Sequence, residues 1–346
     1  MTLPATMNAL VLKQDGLSGE PRTGMDLDTL APFLDYAELP LPKPGPGEVL
    51  VKVRMASVNP SDIYFIKGEY GQPRVKGAAA GFEGVGEVVG GNGLYARWLK
   101  GKRVAFVGGA AGSGAWAEYI CVSAATCVAV KPAMRDEDAA GHVVNPVTAW
   151  RMFELVRQSG SNSFVFTAAF SQLGKLMAGL ARDNGFKMIA VIRKESQADH
   201  LKELGAAHVL VQSDPDFDNS LAKLCKSEKP RVLLDAVANQ LSADIFTAMP
   251  ARARWVIYGK LDNETPTIPE TGQLIFMDKK IEGFWLAQWF RRASMLEKLS
   301  TVRSVQNRFI SGAWKTEVTQ TVKLNEAMEK LPEALKRGGG KVMLTP

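Results

Sequence analysis

The segment Ser163–Lys187 sets an apolar strand-like run, Phe164–Phe166, against a second run of different period. In that second run Leu173, Leu176, Met177, Leu180 and Ala181 recur at the spacing of one helix face. Ala168, Ala169 and Ser171 between the two, and Gly174 at the start of the second, are small enough to let a backbone turn approach a ligand. Such a strand, turn and helix can hold a pyrophosphate, because the first amides of a helix lack acceptors and carry the positive end of its dipole. The G-x-G-x-x-G pattern is absent, so the motif alone also fits an ordinary packed α/β unit. The next strand separates the cofactors. A ribose 2′-hydroxyl needs an acid about 20 residues past the turn. Arg193 and Lys194 stand there instead. Two cations suit a 2′-phosphate and hence NADPH; two solvated charges at a strand end are the plainer alternative.

Tyr64 and Tyr70 form a second candidate group, with Gly68 and Gly71 close by. A tyrosine hydroxyl, with a reference pKa of about 10, is a donor at pH 7 and can stabilise negative charge developing on a substrate oxygen. On the residues alone, half-buried loop aromatics are the simpler reading. Metal chemistry is poorly supplied. His142, His200 and His208 stand at no metal-pair spacing from Cys121, Cys127 or Cys225, and three cysteines cannot build a four-cysteine lobe. No metal is expected. The same sparse cysteines form no disulfide framework and suit a reducing compartment.

These residues need elements to position them. The first 140 residues read as β-rich, with strand candidates at Met7–Leu12, Glu48–Ala56, Gly84–Val89, Arg103–Val107 and Trp116–Val122. Leu39–Gly47 is dense in proline and reads as a loop, and Gly108–Gly114 reads as a flexible turn. Beyond about Asp138, strands at Phe164–Phe166, Met188–Ile192, Val209–Val211, Val232–Leu234 and Trp255–Tyr258 alternate with helical stretches, which predicts a parallel sheet with crossover helices. Gly185 and Gly205 stand where helices should stop. The tail from Gln306 returns to the first domain and ends in a strand, Lys341–Leu344. The expected division is 1–140 with 306–346, and 141–305.

The 346 residues are 46% hydrophobic and 23% charged, which suits two globular domains. The net charge of +6 and an isoelectric point near 9.1 leave a nucleic-acid partner open, but the cations are scattered and form no block, so none is expected. The N-terminal residues lack a signal-peptide pattern, and no apolar run is long enough for a membrane span. A cytoplasmic chain with no membrane partner is expected.

Six motifs then carry a family resemblance over nearly the whole chain: VNPSDIYFIKGEYG (58–71), GFEGVGEVV (81–89), GSGAWAEY (112–119), NPVTAW (145–150), TAAFSQLG (167–174) and GFWLAQW (283–289). The chain resembles the zinc-free branch of the medium-chain dehydrogenase/reductases, and is similar to NADPH:quinone oxidoreductases and to mitochondrial-type 2-enoyl thioester reductases. Where the zinc branch has a cysteine ligand this chain has Asn59, and where it has a His-Glu pair this chain has Phe82 and Glu83. The resemblance implies an α/β chain: a GroES-like β-rich catalytic domain plus a Rossmann-type doubly wound parallel-sheet nucleotide-binding domain.

It also implies roles. Asn59 would stand near the nicotinamide, Tyr64 would line the same pocket, and Tyr70 would sit beside a substrate carbonyl. Thr148 would contact the nicotinamide and Trp285 would line the substrate pocket. Ser171, Gln172, Leu173 and Gly174 would cradle the pyrophosphate, Arg193 and Lys194 would take the 2′-phosphate, and Tyr258 is placed with the cofactor residues. Glu83 reads best as a salt-bridge partner. Two departures stand out: Phe170 replaces a small residue in the turn, and Asp15–Leu34 is an insertion expected as a surface excursion.

The expected function is NADPH-dependent, zinc-independent hydride transfer to a small-molecule electrophile, a quinone or other activated double bond. The alternatives are a 2-enoyl thioester reductase and an NADPH-binding structural or redox-sensing protein with little turnover. An edge strand near Ile281–Trp285 is apolar enough to suggest a homodimer.

Overall fold

The computed structural model describes residues 3–108 and 114–346, so most of the predicted turn at Gly108–Gly114 and the start of the GSGAWAEY motif lie outside the described residues. The chain divides into two units: Met1–Val144 with Val302–Pro346, and Asn145–Thr301.

The first unit is GroES-like and β-rich. Its main sheet runs in the order Val318–Lys323, Lys341–Thr345, Glu48–Val58, Glu83–Gly91, Arg103–Val107 and Val128–Ala129, with Tyr119–Ser123 also paired to Glu48–Val58. Alternation drives the long strand: Val51 and Val53 are buried while Lys52 and Arg54 face out. Thr6–Leu12 pairs antiparallel with Leu34–Pro40. The expected loop Leu39–Gly47 therefore starts later than its prolines suggest. Pro40 ends a two-stranded ribbon, where a missing amide is tolerated.

Most of the insertion Asp15–Leu34 is exposed, but it is also pinned to the core. Leu27, Leu30 and Leu34 are buried in the core beside Leu10, Leu12, Ile63 and Ile66. Burial of three leucines in a stretch rich in glycine, proline and acids overrides its polar composition.

In the second unit six strands lie parallel, in the order His208–Val211, Lys187–Ile192, Ser163–Phe166, Val232–Asp235, Arg254–Ile257 and Lys280–Gly283. Counted along the chain, that order is 3-2-1-4-5-6, the Rossmann arrangement. The helix Gln172–Asp183 buries all of Leu173, Leu176, Met177, Leu180 and Ala181. It ends at Asn184 and the left-handed Gly185; the next crossover helix, Ala198–Leu204, ends at Gly205 with φ of 120°. Among the described residues no helix is long and apolar enough to cross a membrane.

Candidate cofactor and acceptor sites

In the second unit the first and fourth strands are neighbours, with Val165 opposite Leu233 and Phe166 opposite Leu234. This is the switch point where open α/β sheets bind ligands beyond their carboxyl ends. Thr167 and Asp235 end the two strands here. The Thr167 hydroxyl donates to the Asp235 carboxylate and accepts from the Ala236 amide at 3.1 Å. Asp235, fully buried, also accepts from the amides of Val237 (2.9 Å) and Ala238 (3.1 Å) and from the Trp255 indole (2.8 Å). A buried carboxylate with several donors is satisfied, and this one ties three neighbouring strands together. Neither Thr167 nor Asp235 stood out in the sequence, since each is a common residue at a strand end.

The turn follows Thr167. Ala168 adopts φ of 48°, a left-handed conformation in which a side chain is strained. Ser171 caps the helix, its hydroxyl accepting from the Gly174 amide at 3.2 Å. Gly174 must be glycine, because a Cβ there would lie 2.2 Å from the Ala169 carbonyl oxygen. Helix and turn thus pack backbone to backbone. Gln172 and Leu173 are buried in the first helical turn, and Ser171 is exposed at its mouth. Phe170 does not fill the turn. Its ring lies edge-on to His200 with centroids 5.9 Å apart, and the Lys175 ammonium sits 4.3 Å from its centroid. The bulky residue is accommodated by a cation–π contact beside the turn.

Arg193 and Lys194 follow the second strand, both exposed, and neither side chain has an ion-pair partner among the described residues. Tyr258 follows the fifth strand. Its hydroxyl is buried without a hydrogen-bond partner, and burial together with the Asp235 charge raises its pKa well above 10. Thr148 is 8% exposed on the helix Val144–Arg157. Trp285 caps the short helix Leu286–Arg292 and stacks under the Arg291 guanidinium at 5.1 Å.

The first unit holds a buried polar cluster that follows from strand register. Val342 pairs with Val58 and Ala56 with Gly84, so one step onward sets Lys341 opposite Asn59 and Ser57 opposite Glu83. The Glu83 carboxylate accepts from the Ser57 hydroxyl (2.7 Å), the Asn59 amide (2.9 Å) and the backbone amides of Val143 (3.0 Å) and Val144 (2.7 Å). The Lys341 ammonium donates to the Asn59 carbonyl oxygen and lies 4.0 Å from Glu83. Glu83 and Lys341 are thus a buried ion pair, and burial pulls the lysine pKa down. Asn59 donates further to Ser57 at 3.1 Å, so both donors and the acceptor of its side chain are committed within the chain. Its neighbour Asp62 accepts from the amides of Asn59 and Phe82, and burial pushes its carboxyl up to about 7. Lys341 was missed in the sequence. It opens an apolar strand, a weak signal without knowledge of the register.

Asn59 begins the helix Pro60–Lys67, which carries Tyr64, and Tyr70 follows its end. Tyr64 is 5% exposed; Tyr70 is half-buried with its ring 5.4 Å from that of Phe82. Among the described residues no three His, Cys, Asp or Glu side chains gather as a metal site.

Comparison with known proteins places this geometry. The alcohol dehydrogenase GroES-like domain family matches residues 45–132 and the zinc-binding dehydrogenase family matches residues 173–301. The chain belongs to the medium-chain dehydrogenase/reductase family. It is 30% identical to the mitochondrial enoyl-[acyl-carrier-protein] reductase of Bos taurus over 83% of this chain and 74% of that protein. It is 48% identical to a Mesorhizobium loti protein assigned as an NADPH:quinone reductase, with a TM-score of 0.96 and all of both chains covered. A mutant enoyl thioester reductase from Candida tropicalis, 22% identical with a TM-score of 0.79 over 99% of this chain and all of that one, shares the fold. The protein is an oxidoreductase of this family.

Proposed function

We propose that the chain is an NADPH-dependent, zinc-independent reductase of quinones or other activated double bonds. The observation that carries the reading is the pair Arg193 and Lys194, exposed and without ion-pair partners, at the end of the strand next to the phosphate turn. The turn suits a dinucleotide: its backbone approach is so close that Gly174 excludes even a Cβ, its helix presents a positive dipole end, and the Tyr258 hydroxyl is buried with nothing to bond. Ser171, Gln172, Leu173 and Gly174 hold the pyrophosphate; Thr148 and Tyr258 stand with the nicotinamide half; Arg193 and Lys194 take the 2′-phosphate.

NADPH, when bound, supplies hydride. An electron-poor carbon accepts it, the displaced electron pair moves to the conjugated oxygen, and a proton completes the reduction. The Tyr70 hydroxyl stabilises that oxygen or passes the proton, Tyr64 lines the acceptor side of the first unit, and Asn59 holds the head of the Tyr64 helix. Zinc has no role in this scheme: Asn59 and Phe82 cannot supply the thiolate and imidazole that the zinc branch uses, and the Glu83 carboxylate is already satisfied.

Reduction of 2-enoyl thioesters is the second reading, favoured by Tyr70 and by the name of the bovine relative. Oxidation of NADPH with 1,4-benzoquinone and with crotonyl-CoA, measured side by side, separates the two; turnover of neither removes both. A thiol-based redox sensor is disfavoured, because burial pushes Cys121 and Cys225 up to about 11 and Cys127 up to about 12. We also propose a homodimer through the sheet edge Lys280–Gly283, where Ile281 is 37% exposed and Phe276 nearby is 86% exposed.

A further inference from the structure

The insertion after the first strand makes its polar contacts where the two candidate tyrosines are carried. Lys67, 5% exposed at the end of the Tyr64 helix, donates to the Thr23 hydroxyl (3.0 Å) and to the carbonyls of Gly24 (2.9 Å) and Asp26. Arg74, also 5% exposed, donates to the carbonyls of Gly16 (3.0 Å), Asp15 (3.3 Å) and Ile66 (3.1 Å) and to the Gln14 side chain (2.8 Å). The Ser18 amide donates to the Gly68 carbonyl at 2.8 Å. Gly68 takes φ of 76°, and a Cβ there would lie 2.6 Å from the Arg74 guanidinium and 2.7 Å from the Ser18 nitrogen. Leu27 and Leu30 then return the segment to the core.

Arg22 is the exposed contact of this set that reaches a candidate tyrosine directly. It is exposed, so its share in stability is small. Yet its guanidinium lies 5.0 Å from the Tyr64 ring centroid and donates at 3.0 Å to the carbonyl of Glu69, the residue before Tyr70. One side chain therefore touches both ends of the segment that separates the tyrosines. Thr23 doubles the tie, its amide and hydroxyl both donating to the Glu69 carboxylate at 2.9 Å.

We propose that residues 14–26 are a strap that fixes Tyr64 and Tyr70 relative to each other for the electron acceptor, with Lys67 as its anchor and Arg22 as a positioning residue. The proposal rests on the reading of those tyrosines as acceptor-site residues. Misplacement of a site by about an ångström is enough to cost large factors in rate, so a rigid support of this kind has a kinetic consequence.

The test uses the full-length protein and whichever of 1,4-benzoquinone and crotonyl-CoA the wild type reduces faster. Arg22→Ala should raise the acceptor KM about tenfold, with a smaller change in kcat and an unchanged NADPH dissociation constant, and Arg22→Lys should restore part of the loss. Lys67→Met should speed hydrogen exchange across 16–24 and 66–70 and raise the same KM; if it fails to fold, Arg22→Ala decides alone. A wild-type acceptor KM in Arg22→Ala overturns the strap while leaving the proposed function intact. Absence of turnover in the wild type overturns the reading of the site, and the strap with it.

Discussion

Lys341 and Asn59 stand 282 residues apart in sequence and meet side chain to side chain, where the last strand of the chain pairs with the strand that leads into the Tyr64 helix. The contact completes the amide of Asn59 and pairs the charge of Glu83. Removing the ammonium leaves a buried carboxylate uncompensated. Lys341→Met should therefore lower stability by about 3–5 kcal/mol, read from the urea midpoint. In the double variant with Glu83→Gln the two losses should add to less than their sum by about 1 kcal/mol or more. Strict additivity would mean that the two charges do not stabilise one another.

Acid sensitivity has a separate source. His142 is fully buried, both ring nitrogens lack hydrogen-bond partners, and burial holds its pKa down at about 4. The nearby Asp138 charge opposes that shift, and the Phe309 ring centroid is 6.1 Å away. The unfolded chain protonates this histidine below about 6.5 and the folded chain only below about 4. Its contribution is present above pH 6.5 and is lost as the pH falls toward 4, at most about 3 kcal/mol. His142→Leu should flatten that loss in unfolding curves between pH 7 and 4. Asp62, pushed up to about 7, titrates in both proteins, so the difference between them isolates the histidine. Parallel curves would contradict the assignment.

The left-handed Ala168 and the close approach at Gly174 make the turn before the helix Gln172–Asp183 intolerant of added atoms. Gly174→Ala places a methyl 2.2 Å from the Ala169 carbonyl oxygen, so the turn must move. NADPH affinity should fall about tenfold or more in a fluorescence titration, while Ser171→Ala, which loses one capping bond, should cost much less. Equal losses would show that the backbone shape of the turn is not what holds the ligand.

Tyr70→Phe removes a hydroxyl and keeps the ring that packs on Phe82. If Tyr70 is the donor, kcat should fall about 100-fold or more with NADPH affinity within about twofold. Wild-type turnover in the variant would return Tyr70 to the role of a packing aromatic.

Periodicity made part of this legible from residue order. The helix face from Leu173 to Ala181 and the strands around it repeat locally, so their burial could be read without knowing what they pack against. The cluster of Ser57, Asn59, Glu83 and Lys341 could not, because it exists only once three strands from distant parts of the chain settle into register. Leu27 and Leu30 are isolated apolar residues among glycine, proline and acids, with no period to mark them as core. The strand Leu34–Pro40 was hidden for a related reason: proline reads as a breaker, but costs little at the end of a two-stranded ribbon. Phe170 was a local anomaly whose resolution, a turn toward His200 and Lys175, required three dimensions.

The central claim is that Arg193 and Lys194 select the phosphorylated dinucleotide. Titration of the wild type and of the Arg193→Ala, Lys194→Ala double variant with NADPH and with NADH tests it most directly. Each charge-assisted contact to a phosphate is worth about 1.5–3 kcal/mol, so the double variant should bind NADPH at least about 10-fold more weakly and NADH as before. Equal weakening of both cofactors, or of neither, would contradict it.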